Sequence, residues 1–330
     1  RNKVAMKIGI ALGSGAARGW AHIGVIQALE KLGVKIDVVA GCSIGAYVGA
    51  AYASGRLEEL KAWASSLTEW QTLSLMGIGI RRGGLASGQK VFDKLSADFC
   101  AATFEAMDKP FACVATDLYS GREVVFNKGE VGNSVQASCA IPALFSPIAY
   151  HDRWLVDGAV VNPVPVNLCR QLGADFVIAV NLNADFRPLQ IARETAKHEE
   201  TQEKNEHFFK KSQDVVRQWF SPEPKDNSKQ APGILSVMSS SLEILQARVT
   251  RSRLAGEPPD ILIEPTLTDV GLMEFHRCAE LCETGEQVVK RLAEQIRYQL
   301  VLDEVLPPSQ VDPEALEAPK APDEANEEIT

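Results

Sequence analysis

Two glycine-rich turns, each with an apolar run before it and a helical pattern after it, constrain the fold of this chain most strongly. Met6–Leu12 (MKIGIAL) runs into Gly13-Ser14-Gly15-Ala16-Ala17-Arg18-Gly19, and helical periodicity follows through Trp20, Ile23, Ile26, Ala28 and Leu29 to a stop at Gly33. A second run, Asp37–Ala40, ends in Gly41-Cys42-Ser43-Ile44-Gly45 and leads into the small-residue helix AYVGAAYASG. Phe111–Thr116, Glu123–Phe126, Trp154–Val156, Phe176–Asn181 and Ile261–Ile263 are further strand candidates, with helical patterns between most of them. Apolar strands alternating with helices predict a three-layer α/β/α fold around a mostly parallel sheet covered on both faces. Leu235–Ala255 and Leu272–Leu302 read as two long helices that close the domain.

The pattern divides the chain into a core over residues 1–186, a polar helical insertion and linker over 187–233, helices and a strand completing the same domain over 234–306, and a disordered tail over 307–330. The formal charge is −9, yet the tail alone holds seven acids against one base, so the body is close to neutral. That leaves no basic footprint for nucleic acid. The seven cysteines (42, 100, 113, 139, 169, 278 and 282) are odd in number and set among apolar neighbours, as expected of reduced core residues in an intracellular protein. Cys278 and Cys282 lie one helical turn apart with only His276 near, too few ligands for a metal, and the reading calls for no metal or cofactor. No apolar run approaches the roughly 20 residues of a spanning helix, and the first residues lack a signal peptide's apolar core. Cytoplasm is the expected location. The start at Arg1 rather than methionine is expected to reflect trimming or a remnant.

The second turn has the form of a nucleophile elbow. Glycines at 41 and 45 flank Ser43 where side chains would clash, and the hydroxyl projects above the sheet beside a helix N-terminus. In the first turn, small residues let backbone N–H groups approach an anion. The spacing G-x-G-x-x-x-G, with no acid closing the next strand, disfavours a dinucleotide, and no Gly-Lys-Ser/Thr follows for a phosphate-binding loop. Sequential parallel strands usually pair, which would set residues 13–19 beside Ser43 as an oxyanion hole. A serine nucleophile needs a base. Of His22, His151, His198, His207 and His276, only His276 fits the order Ser, Asp, His, and too few strands precede Ser43 for an ordinary triad of that kind. His22 and His276 then read as packing or surface residues. Asp157, in Asp157-Gly158-Ala159, is the remaining economical partner, although Asp-Gly is also a common turn.

In this order the three motifs resemble the patatin-like phospholipase family, and within it the bacterial, RssA-type branch grouped with neuropathy target esterase. The resemblance covers about Lys7 to Asn181, and the stretch ILSVMSSSLEILQARVTRSRLAGEPPDILIEP supports it. It implies a Ser–Asp dyad of Ser43 and Asp157, the latter followed by Gly158 and Ala159, with loop amides of Gly13–Gly19 as the oxyanion hole and Arg18 as that loop's basic residue. Pro142, in SCAIPALFSP, matches a segment that lines the site and is read as structural. Ser14 and Ala16 replace two family glycines and are expected to fit if they keep negative φ. The implied activity is hydrolysis of fatty-acyl esters of phospholipids or lysophospholipids through an acyl-enzyme. A regulatory protein on the same fold and an acyltransferase are the alternatives; a Rossmann-type oxidoreductase is disfavoured by the loop spacing. Phe208, Val215, Val216 and Trp219, with Lys210, Lys211 and Arg217 around them, fit either peripheral contact with an anionic membrane or a lid packed on the domain.

Overall fold

Strands that are apolar on both faces belong in the interior of a covered sheet, and four here are buried along their whole length: β1 (Ile8–Leu12), β2 (Val38–Cys42), β5 (Phe111–Asp117) and β10 (Phe176–Val180). The computed structural model describes residues 6–81, 84–86, 88–184, 234–267 and 269–304. The expected insertion over 187–233, including the amphipathic stretch around Trp219, and the acidic tail lie outside them.

Side-chain alternation sorts the strands into two cores. Ile10, Leu12, Val39, Phe111 and Ile178 face one side, where α1 (Ala21–Lys31), α2 (Ile44–Ala53), α6 (Val131–Ser138) and α9 (Cys278–Arg291) pack. Ala11, Ala40, Cys42, Val114 and Ala179 face the other, covered by α7 (Val166–Gln171) and Leu254 of α8 (Ile234–Gly256). The result is the expected three-layer arrangement. The strand order is β11-β10-β1-β2-β5-β9-β8, with β6 (Glu123–Phe126) also on β5 and β8, β9 and β11 spanning Ile148–Tyr150, Arg153–Asp157 and Ile261–Ile263. The pairings β11–β10, β10–β1, β1–β2 and β2–β5 are parallel, and those of β6 and β9 on β5 and of β8 on β9 are antiparallel.

The register on β5 builds the site. β2 pairs with residues 111–114, ending where Cys42 meets Val114. β9 pairs with residues 115–117 and ends where Asp157 meets Ala115. Since β6 already occupies the opposite edge over residues 113–116, β9 takes the edge that β2 vacates. Two strands therefore meet end to end along one side of β5, and Ser43 and Asp157 face each other across the junction.

Two differences from the sequence reading concern segments with weak local patterns. The single helix expected over Leu272–Leu302 is interrupted. Residues 271–274 form a loop, held by the Gly271 amide on Glu274 Oε2 (2.8 Å) and by the Ala17 amide on the Leu272 carbonyl (3.0 Å). After a 3-10 turn at Phe275–Arg277, α9 ends at Arg291 and α10 (Ala293–Glu304) follows beyond Leu292. A second, three-stranded sheet of β3 (Ile78–Arg81), β4 (Gly84–Ala86) and β7 (Ala143–Phe145) also emerges, its strands too short to show alternation.

Candidate active site

Because β2 ends at Cys42 and α2 begins at Ile44, Ser43 alone makes the turn, at φ 56° and ψ −125°. A serine held there carries strain of about 1–3 kcal/mol. The flanking glycines leave room for it: a Cβ on Gly41 would lie 2.4 Å from the Gly45 carbonyl oxygen, and one on Gly45 would lie 2.1 Å from that of Leu12. The Ser43 amide donates to Ser138 Oγ at 2.9 Å, fastening the elbow to the end of α6.

The Ser43 hydroxyl donates to Asp157 Oδ2 at 2.6 Å. Asp157 Oδ1 accepts the Ala159 amide at 2.8 Å, and Cys42 Sγ lies 4.0 Å from the same oxygen. Gly158 permits this turn, since a Cβ there would come within 2.2 Å of the Val114 carbonyl oxygen on β5. The Asp157 backbone is tied at both ends, its amide to the Ala140 carbonyl and its carbonyl to the Thr116 hydroxyl, each at 2.9 Å. Burial pushes Asp157 up to about 7, against the hydrogen bonds from Ser43 and Ala159 that favour its ionised form. A carboxylate at the ordinary value near 3.9 is a weak base at neutral pH; one raised to this range is suited to proton transfer. The neighbouring Cys42 thiol is raised well above its usual range by burial and then by Asp157, so it is no rival nucleophile.

The loop at 13–19 lies beside this pair. The amides of Gly13, Ser14, Ala17 and Arg18 bond to the carbonyls of Val180, Pro163, Leu272 and Gly15. Those of Gly15 and Ala16 are left without a hydrogen-bond partner among the described residues. Asn183 Nδ2 braces the loop at the Ser14 carbonyl (3.3 Å), and largely buried Arg18 donates through Nε to the Val270 carbonyl at 3.0 Å. The condition set for Ser14 and Ala16, a negative φ, is met by Ser14 and not by Ala16, which sits at φ 48°. The chain must turn there from β1 into the 3-10 helix Ala16–Trp20, a left-handed step that glycine makes freely and alanine makes at a cost of about 1–2 kcal/mol.

His22 is wholly buried, and its Nε2 lies 2.7 Å from the Gly13 carbonyl oxygen. Burial lowers its pKa to about 4, so at neutral pH the ring is uncharged and Nε2–H donates. His151 occupies the turn between β8 and β9, and His276 a 3-10 turn. No histidine among the described residues bonds to Ser43 or Asp157; His198 and His207 lie outside those residues. Among the described residues no group of His, Cys, Asp or Glu gathers to hold a metal, and no helix is long and apolar enough to cross a membrane.

Ser43, Asp157, Gly15 and Ala16 line a cleft together with Ile141, Pro142 and, from α8, Leu242, Glu243 and Gln246. Burial raises the pKa of Glu243, and the charge of Arg18 opposes that rise. Asn183 and Glu243 also stand at the cleft and were missed in the sequence, because they reach it from far along the chain and belong to no motif; Ser138 opens the SCAIPALFSP segment, which was read only through Pro142, and His22 was read as a packing or surface residue.

Residues 10–170 match the patatin-like phospholipase family. An NTE family protein of Mycobacterium tuberculosis is 30% identical over 335 aligned positions, which cover 89% of this chain and 93% of that one. A lysophospholipase of Aspergillus fumigatus is 26% identical over 88% of this chain, which spans only 18% of that longer protein. Among solved structures, VipD of Legionella pneumophila is similar with a TM-score of 0.46 and 14% identity, over 88% of this chain and 67% of that one.

Proposed function

The chain belongs to the patatin-like phospholipase family, in its neuropathy-target-esterase branch, and we propose that it is a serine hydrolase that cleaves fatty-acyl esters of phospholipids or lysophospholipids with a Ser43–Asp157 dyad. The observation that carries this reading is the 2.6 Å hydrogen bond from a strained, buried serine to an aspartate raised to about 7. The lipid substrate is argued from the family and from the relatives named lysophospholipases.

In the proposed reaction, Ser43 Oγ attacks the ester carbonyl while Asp157 Oδ2 accepts its proton. The free amides of Gly15 and Ala16 stabilise the oxyanion, the interaction that usually contributes most in such reactions. As the tetrahedral intermediate collapses, the proton on Asp157 passes to the departing alcohol. A water molecule then gives a proton to Asp157 and attacks the acyl-enzyme, releasing the fatty acid and restoring Ser43. The expected sites of peripheral membrane contact belong to the same proposal, with a lipid aggregate as the source of substrate.

The direct test is covalent labelling by a fluorophosphonate probe of wild type, Ser43→Ala and Asp157→Asn, all checked for folding. Labelling should vanish in Ser43→Ala and fall strongly in Asp157→Asn. A folded wild type that neither takes the label nor cleaves lipid esters would reject the hydrolase in favour of a regulatory role on the same fold.

A further inference from the structure

Three groups of the 3-10 helix Ala16–Trp20 donate to carbonyls of one distant stretch, residues 269–277. The Ala17 amide bonds to Leu272, Arg18 Nε to Val270 and the Trp20 indole to Phe275, each at 3.0 Å. Apart from the 3-10 turn at Phe275–Arg277 this stretch is a strap with no regular structure, so its carbonyls point where its side-chain bonds put them. Leu272 also lines the cleft beside Gly15 and Ala16.

Arg277 makes most of those bonds. Its Nε and Nη2 fork onto the Glu280 carboxylate, in the first turn of α9, at 2.9 and 2.6 Å. Nη1 donates to the Asp269 carbonyl (2.8 Å) and to Glu274 Oε2 (2.7 Å), and Nη2 to Asp269 Oδ2 (3.1 Å). The same Glu274 oxygen accepts the Gly271 amide. Exposed ion pairs contribute little singly. This guanidinium is bidentate on one acid, shared with two others and only 20% exposed, the setting in which a planar fork holds geometry. The helix under it is firmly seated: a Cβ on Gly285 of α9 would lie 2.1 Å from the Ala21 carbonyl oxygen at the start of α1.

This run of contacts ends at the strained step of the loop. A peptide N–H shares its plane with the preceding carbonyl, so the bond from Ala17 to Leu272 fixes ψ of Ala16, the residue held at φ 48°. One hydrogen bond is of the same order as the cost of a left-handed alanine, so the strap can hold that step. We propose that Arg277 is a positioning residue for the oxyanion site: through residues 269–277 it holds the Ala16–Ala17 peptide, and with it the amides of Gly15 and Ala16, towards the cleft. The inference rests on the proposed reaction for what those amides do, while the hold on the loop is independent of it.

The experiment compares wild type with Arg277→Met, which keeps the apolar stem, and Glu274→Ala. Arg170→Met is the control for losing an arginine hub elsewhere, since Arg170 joins Ala174, Asp175 and Asp260 beyond the end of α7. Two kinetic quantities are read: kcat and KM for p-nitrophenyl butyrate, and Ki for an alkyl trifluoromethyl ketone. Ser43 Oγ adds to the ketone carbonyl while Asp157 takes the hydroxyl proton, which leaves an alkoxide where the oxyanion forms. Complete loss of an oxyanion donor costs about 10²–10³ in turnover, so a displaced one should cost about tenfold. In Arg277→Met and Glu274→Ala, kcat should fall about tenfold with KM within about twofold, and Ki should rise by the factor that kcat/KM falls. Amide hydrogen exchange at Ala17, followed by NMR, should quicken in the same two variants. Arg170→Met should change none of these. Unchanged kcat and Ki in whichever variant folds, or an equal fall in Arg170→Met, overturns the proposal. If wild type neither cleaves the ester nor binds the ketone, the hydrolase reading falls and exchange at Ala17 decides the rest: faster in the variants keeps the hold on the loop, unchanged sinks it. Turnover by wild type that both variants retain in full keeps the hydrolase and sinks the role of Arg277.

Discussion

The amide of Ser43 donates to Ser138 Oγ across 2.9 Å, so the N–H of the proposed nucleophile is committed to the fold and unavailable to an oxyanion. Ser138 is fully buried. Replacing it with alanine strands a buried N–H, at a cost of about 1–3 kcal/mol, and loosens the strained conformation that aims the Ser43 hydroxyl. Ser138→Ala should lower the melting temperature and slow fluorophosphonate labelling. An unchanged labelling rate would show that the elbow glycines hold Ser43 unaided.

In the proposed reaction Asp157 would make opposite contributions to activity and stability. Its folded pKa, about 7, is above the ordinary carboxylate value near 3.9. The folded state therefore binds the proton more tightly than the unfolded state does, and stability declines as pH rises from about 4 to about 7, then levels. Activity should follow the other sign, with kcat/KM rising through about pH 7 as the base form accumulates. Asp157→Asn should lose activity and yet be more stable than wild type by about 2–4 kcal/mol at pH 8, the difference shrinking towards pH 4. Denaturant melts across that range would show it, and an Asn variant less stable than wild type at pH 8 would contradict the buried-charge account.

His22 titrates in the reverse sense. Its depressed folded value, about 4, contributes stability that is present above the ordinary His value near 6.5 and is lost as pH falls through that window. His22→Leu removes the hydrogen bond to the buried Gly13 carbonyl, with an expected loss of about 1–3 kcal/mol at pH 8. It should also make acid unfolding between pH 6.5 and 4 less steep. Because Gly13 leads into the amides at Gly15 and Ala16, kcat should fall more than KM rises.

At Gly15 the limiting contact is a neighbouring side chain. A Cβ would lie 2.9 Å from Leu182 Cδ1 and 3.0 Å from Leu182 Cβ. Gly15→Val should push the loop and its amides off position and reduce turnover by about 10²–10³, with Gly15→Ala intermediate. A folded Gly15→Val enzyme with wild-type turnover would exclude the Gly15 amide from the oxyanion site.

Both glycine-rich turns and the Asp-Gly-Ala motif were legible because each is a local demand of the backbone. Gly41, Gly45 and Gly158 stand where a Cβ would meet backbone atoms, and such positions leave a mark on a single sequence. The buried parallel strands were legible for a similar reason, as continuous apolar runs. What brings Ser43 to Asp157 was not, because the meeting of β2 and β9 along β5 is a matter of pairing between segments more than 100 residues apart. The left-handed Ala16 was not legible for a different reason: a small residue fits the space, and nothing in its identity reports φ.

The end-to-end meeting of two strands on β5 also sets when Ser43 and Asp157 can come together. A growing chain that has completed the elbow has no carboxylate beside Ser43 until Arg153–Asp157 has been synthesised and has docked beside Phe111–Asp117. A slip of that docking by one residue would turn the Asp157 side chain to the opposite face of the sheet. An incompletely made or misregistered molecule would therefore carry Ser43 without Asp157 beside it.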